Sequence, residues 1–372
     1  MSIRRPRLPS HYYVQVEPPD ESGDEILRFR SERRAITLKG RSFREFSNRV
    51  IPLLDGEHSF EEIAANAAGV IDADALETSL MFLAEQGLIR DDADTTLVPS
   101  ESSRLEPQLN FFHEIAGDAE AVQRRLASAT VSVVGLAGPG AVAAEALASA
   151  GVGEVRFVDP DPVTSADAYL APAYRDADTG SPRATVLARR LAEGATSSRL
   201  IAFGEPLDDD DAVARAIGDS SFVICALDQG RSSIAYKLNR ACLQSGTRWI
   251  SCESGGHTIV VGPGIEPGVT ACYLCYTMRG VACADRPEDA FAFQRFLDRR
   301  KTDDSARRER LSVSSGLAGN LLALEALKVV GGFGNFATRG GLKVLNLLDL
   351  SLQGHVVLRK PWCPACYPAE PA

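Results

Sequence analysis

Apolar and polar positions alternate over Tyr12-Tyr-Val-Gln-Val, Ile26-Leu-Arg-Phe-Arg and Ala35-Ile-Thr-Leu-Lys, and this period of two predicts three strands. Ser31-Glu-Arg-Arg34 supplies a hairpin turn between the last two, and Gly40 closes the sheet. The period then lengthens: Phe43, Phe46, Val50, Ile51 and Leu54 share one face of a helix that stops at Gly56. Ser59 with Glu62 makes a capping box for a short helix through Ala67. Asp72 to Gly87 reads as a longer helix with Leu76, Leu80, Leu83 and Ala84 inward, and Leu88-Ile89 as a short wing strand. Three strands followed by three helices is a winged-helix pattern. The polar stretch Asp91 to Glu106 predicts a linker.

After that stretch, strands and helices alternate. A helix ends at Leu126, Val131-Ser-Val-Val reads as a buried strand, and Gly135, Gly138 and Gly140 allow a tight turn. Pro139 and the Ala-rich run from Ala141 open a helix that Gly151 ends, and Glu154-Val-Arg-Phe-Val carries Asp159 out of the next strand. Further helices are expected before Leu191, from Tyr236 to Ser245 and from Ser314 to Val330. Further strands are expected at Ser221 to Asp228, Trp249 to Cys252, His257 to Gly262, Leu342 to Leu350 and His355 to Leu358. This alternation predicts an α/β doubly wound sheet. The expected organisation is a winged-helix-like domain over 1–92, a linker over 93–106 and a Rossmann-like domain over 107–372.

Charge narrows the function. A net charge of −10 opposes binding to nucleic acid or to an anionic membrane. The third helix carries acids and neither Lys nor Arg, so it is repelled by a DNA groove. No run approaches the about 20 apolar residues of a membrane span, and Arg4-Arg5-Pro-Arg7 lacks a following apolar region, so a cytoplasmic protein is expected. In that setting eight cysteines point to metal or reactive thiols before disulfides. Cys272-Tyr-Leu-Cys275 and Cys363-Pro-Ala-Cys366 suit a tetrahedral structural zinc, one knuckle from each pair. With all four positions filled, the ion has no open coordination site for catalysis. Cys225, Cys242 and Cys252 read as core, and Cys283 lies in a polar loop.

The glycine turn offers helix N-terminal N–H groups to a phosphate, and Asp159 offers a carboxylate to a ribose. A Rossmann-type core whose turn binds nothing has the same pattern, and the stretch alone leaves both open.

Two resemblances extend this reading. Leu53-Leu54-Asp55-Gly56, Phe60-Glu61-Glu62-Ile63 and Leu83-Ala-Glu-Gln-Gly87-Leu88-Ile89 resemble the RiPP recognition element, a domain similar to PqqD. That resemblance implies capture of a precursor-peptide leader as an added strand. The docking edge would be Arg34, Ala35, Ile36, Thr37, Leu38 and Lys39, with Arg33, Arg34 and Lys39 suited to an acidic leader. An edge strand guarded by basic residues against aggregation reads equally well.

The glycine turn, Gly151-Val-Gly153, Asp159 with Asp161, Asp228 and the paired cysteine knuckles, in that order, resemble the ThiF/MoeB superfamily over about residues 105–372. The resemblance implies that Gly135, Gly138 and Gly140 cradle ATP phosphates. Asp159 would hold the ribose, Asp161 would lie beside it, and Asp228 would hold Mg²⁺. A homodimer is implied as well. The chain departs from the family where charge matters. Leu170, in Asp167-Ala-Tyr-Leu170-Ala, and Pro107 stand where arginines are expected; Arg183 replaces a lysine and would still meet a phosphate, with different geometry; Ala137 replaces the first of a glycine pair. Arg307-Arg-Glu-Arg310 occupies the stretch of the sulfur-accepting cysteine. The fusion resembles the leader-binding partner of YcaO-type ATP-dependent cyclodehydratases, which make azolines in thiazole/oxazole-modified peptides, and it also resembles microcin C-type enzymes that adenylate the peptide themselves. The eroded ATP site favours the first, a non-catalytic subunit, over the adenylyltransferase.

Overall fold

Strand alternation near the N-terminus is realised as read. After β1 (Pro6–Arg7), the strands β2 (Tyr13–Glu17), β3 (Glu25–Arg30) and β4 (Ala35–Gly40) form an antiparallel sheet in the order β2-β3-β4. Three helices follow: α1 (Phe43–Arg49), α2 (Phe60–Ala67) and α3 (Ala73–Glu85). Pro52 replaces the end of the first predicted helix with a 3-10 turn over Ile51–Leu53. The capping box is present: Glu62 N–H donates to Ser59 Oγ, and Ser59 N–H donates back to the Glu62 carboxylate. Asp72 caps α3, which buries Leu76, Leu80 and Leu83 against Leu27 and Phe29 of β3 and Ile63 of α2. The short strand predicted at Leu88-Ile89 forms two residues later as β5 (Arg90–Asp91), paired with β1, while Leu88 and Ile89 are buried in the core.

The computed structural model describes residues 3–19, 21–93, 95, 99–194, 196–227, 232–300 and 309–367, and they divide into two compact units, Met1–Ala121 and Val122–Ala372. A helix, α4 (Pro99–Ala116), occupies the second half of the stretch read as a linker and runs through Pro107. It stops before Gly117, which takes the left-handed φ of +78°, and α5 (Ala119–Ser128) follows.

The second unit is built on one mixed sheet. Its parallel part comprises β6 (Thr130–Val134), β7 (Glu154–Val158), β8 (Arg199–Phe203), β9 (Phe222–Cys225) and β10 (Arg248–Gly255). Antiparallel β11 (Thr258–Ile265), β12 (Gly341–Asn346) and β13 (Leu352–Val356) extend it, giving the order β13-β12-β11-β10-β9-β6-β7-β8. The helices are α6 (Pro139–Ser149), α7 (Ser165–Leu170), α8 (Arg183–Ala192), α9 (Asp210–Ile217), α10 (Ser232–Ser245), α11 (Tyr273–Ala282), α12 (Pro287–Arg300) and α13 (Ser312–Gly331). Val131, Val133, Phe157 and Ile224 are fully buried in one cluster with Leu147 of α6 and Leu322 of α13. By length and composition α13 meets the requirement for a membrane span, contrary to the sequence reading. Its inward face packs on α6 and the sheet, so here it is a core helix.

Candidate functional site

The glycine turn is set by backbone crowding. A Cβ on Gly140 would lie 1.8 Å from the Gly135 carbonyl oxygen, and Gly135 and Gly138 have φ of +86° and +56°. The turn therefore requires these glycines whether or not a ligand is present. Every residue from Gly135 to Gly140 is buried. Ser315 Oγ and Leu170 Cβ stand 2.8 and 3.5 Å from where a Cβ on Gly138 would be, so Leu170 covers the turn. Ser315 Oγ is itself buried with no partner among the described residues.

The charged residues of this site are committed to one another. Asp159, 4% exposed, accepts the Leu136 N–H (2.7 Å) on one carboxylate oxygen and the Asp161 N–H (2.9 Å) on the other. Arg183, 2% exposed, donates from Nε to Asp167 Oδ2 at 2.9 Å, and its guanidinium lies 3.5 Å from Asp159 and 3.9 Å from Asp161. Asp167 also accepts the Thr164 N–H at 2.7 Å, and Tyr174 donates its hydroxyl to the Leu136 carbonyl at 3.0 Å. Burial pushes the Asp159 carboxyl up to about 6 against the opposing pull of Arg183, and burial likewise raises Asp167. The Tyr174 phenol is raised by burial and by the neighbouring Asp159.

Three carboxylates thus surround one guanidinium. The cation expected to meet a phosphate is already neutralised, and the acid expected to meet a ribose caps the turn. Asp228, expected to hold Mg²⁺, lies outside the described residues. Among the described residues the Arg183 guanidinium is closed off by Asp159, Asp161 and Asp167. The sequence alone missed this closure. Its signal was the joint presence of Arg183 and Asp167, a cation and an acid that pair across 16 positions.

The metal-ligand set does assemble. The Sγ atoms of Cys272, Cys275, Cys363 and Cys366 lie within 4.8 Å of one another, with pairs at 3.9, 3.7 and 3.6 Å. A tetrahedral zinc with about 2.3 Å Zn–S bonds sets sulfurs about 3.8 Å apart, whereas a disulfide brings them to about 2.05 Å. The four thiolates therefore fit zinc. The Lys360 N–H donates to Cys275 Sγ at 3.3 Å, the kind of backbone bond that orients a metal-bound thiolate. Cys225, Cys242 and Cys252 are buried in the core and Cys283 is exposed.

In the first unit, β4 is an edge strand among the described residues. The Ser31 N–H bonds the Arg34 carbonyl, so residues 31 and 34 face each other across the hairpin. Antiparallel alternation then turns the backbone groups of Ile36 and Leu38 toward Phe29 and Leu27, and those of Ala35, Thr37 and Lys39 toward the open edge. Of the expected docking residues, Arg34 is tied to α3 by donating to the Gln86 carbonyl (2.8 Å), and Lys39 pairs with Asp24 (3.7 Å). A groove of about 500 Å³ runs between β4, α1 and α3, lined by Leu27, Leu38, Phe43, Phe46, Phe82 and Leu83 with Thr78 and Ser79.

Comparison with known proteins identifies the second unit's lineage. The ThiF family matches residues 105–365, and the chain belongs to that family. It is 27% identical to the sulfur carrier protein adenylyltransferase of Thermus thermophilus, over 66% of this chain and 84% of that protein. It is 26% identical to the molybdopterin-synthase adenylyltransferase of Salmonella typhimurium, over 66% of this chain and 89% of that one. Among solved structures, E. coli MccB bound to MccA-N7isoASN superposes with a TM-score of 0.66 at 15% identity, covering 97% of this chain and 99% of that one. PaaA superposes with a TM-score of 0.62 at 21% identity, covering 76% and 92%. These likenesses are of fold, and the MccB match extends over both units.

Proposed function

We propose that this protein binds the leader of a ribosomally made precursor peptide along β4 and presents the peptide to a separate modifying enzyme. The observation that carries the reading is the open edge of Ala35, Thr37 and Lys39 beside an apolar groove. An extended peptide added there gains main-chain hydrogen bonds from the edge and seats alternate side chains in the groove. The N-terminal unit would act in the manner of the PqqD-like recognition element that its sequence resembles. The saturated Arg183 cluster supports a ThiF-family unit that has given up nucleotide chemistry, so the ATP-using partner is a YcaO-type cyclodehydratase forming azolines. The exposed stripe Val313, Leu317 and Leu324 on α13 supports a homodimer within the same reading.

The test is titration of the full-length protein with the precursor peptide encoded beside it, together with a pyrophosphate-release assay. Proline is tolerated on an edge strand where the N–H faces outward. Thr37→Pro therefore keeps the sheet and removes a docking donor, and should abolish leader binding. Ile36→Pro, in contrast, removes a bond to β3 and breaks the sheet itself. Unchanged leader affinity in Thr37→Pro overturns strand addition. Peptide-dependent pyrophosphate release would make the protein an adenylating enzyme instead.

A further inference from the structure

A second cavity, of about 640 Å³, lies in the ThiF-family unit beside the cysteine cluster. Its walls include Tyr236 of α10, Tyr273 and Tyr276 of α11, Phe291 of α12, Glu253 of β10 and Lys360. The tyrosines pack against one another, Tyr236 to Tyr273 at 5.5 Å between ring centroids and Tyr273 to Tyr276 at 5.9 Å. Among the described lining residues Glu253 is the one carboxylate, and it accepts a hydrogen bond from the Tyr276 hydroxyl at 3.3 Å. It stands two residues beyond Ser251, which makes the last parallel pair of β10 with β9. The cavity therefore opens outside the carboxyl ends of the parallel strands, where open α/β sheets place their ligands.

From this arrangement we infer that the cavity receives a cationic side chain, an arginine or lysine of a bound peptide. Aromatic faces attract a cation through their quadrupoles, and a carboxylate at the same site adds a charge-assisted bond. The wall already takes a cation within this chain: the Arg295 guanidinium carbon lies 5.2 Å from the centroid of Phe291. Lys360 is the one opposing charge among the described lining residues.

The probes are N-acetyl-arginine N-methylamide and N-acetyl-glutamate N-methylamide, titrated calorimetrically into full-length, zinc-loaded protein. The arginine probe should bind and the glutamate probe should not. Glu253→Gln should weaken the arginine probe about tenfold, with bound zinc unchanged. Tyr236→Leu should weaken it as well. Preference for the glutamate probe, undiminished binding in Glu253→Gln, or no binding of the arginine probe would each overturn the inference. Thr37→Pro acts in the other unit and should leave this binding intact, so failure here is distinguishable from failure of the leader-binding reading.

Discussion

Arg183→Met removes the cation that pairs with the buried Asp159 and Asp167 and the half-buried Asp161. Arg183 is 2% exposed, Asp167 fully buried and Asp159 4% exposed, so solvent cannot replace the lost charge. Breaking a buried ion pair by removing one partner costs about 3–5 kcal/mol. The cost should depend on pH in a definite direction. Asp159 has its carboxyl raised from the ordinary 3.8 to about 6, so the folded state holds this proton more tightly than the unfolded chain. Its contribution to stability is complete below about pH 4 and is lost as the pH rises through about 6, amounting to about 3 kcal/mol. Without Arg183, both Asp159 and Asp167 lose the charge that pulls them down, and this window extends upward. The variant should be destabilised by about 3–5 kcal/mol near about pH 7.5, and by clearly less near about pH 5.5. Urea unfolding followed by tryptophan fluorescence measures this. Trp249 is fully buried and Trp362 is 78% exposed, and both belong to the second unit, so the signal reports that unit. A loss below about 1 kcal/mol, or an equal loss at the two pH values, would refute the buried cluster as described.

Other outcomes follow from the same geometry. Cys363→Ser should bring bound zinc, read by elemental analysis, to baseline and lower the thermal midpoint, because four-thiolate zinc sites contribute about 10 kcal/mol or more. Retained stoichiometric zinc would exclude the four-cysteine site. Gly140→Ala drives a Cβ to within 1.8 Å of the Gly135 oxygen, a main-chain atom that cannot rotate away, and should destabilise the second unit by about 3 kcal/mol or more in the same fluorescence assay.

The sequence made the elements legible wherever one physical signal dominated. Period-two alternation located β2 to β4, the capping box located α2, and the β-branched run with its glycines located β6 and α6. The pairing of Ser59 and Glu62 needs only three residues of chain, so it was readable in full. Polar composition misled at α4. Pro99 to Glu106 looks like a linker because Leu105 is the one apolar side chain after Pro99 in that stretch, and its helical partners Leu109 and Phe112 lie beyond it. The cysteine cluster was legible because two identical short motifs declare a shared ligand. The ion cluster beside the glycine turn was not. Asp159 and Asp161 follow β7, Asp167 lies in α7 and Arg183 opens α8, and only the fold brings the three carboxylates within 3.9 Å of one guanidinium. The register of β4 was likewise hidden, since alternation of side chains does not say which backbone groups face the neighbouring strand.

That register has a consequence for mutational tolerance. The ladder groups that β4 offers outward belong to Ala35, Thr37 and Lys39, whose side chains are exposed, while Ile36 and Leu38 turn theirs partly inward. Every residue except proline carries the same N–H and C=O. Substitutions at 35, 37 and 39 can therefore accumulate without altering either the core or the outward hydrogen-bonding pattern. On the leader-binding reading proposed above, discrimination among extended chains laid along this edge falls to the side chains that line the groove, Phe43, Phe46 and Phe82 with Thr37 and Lys39 at its rim. On that same reading, a comparison of diverging copies of this protein should find free drift at Ala35, and coordinated change in the groove wherever the leader sequence has changed.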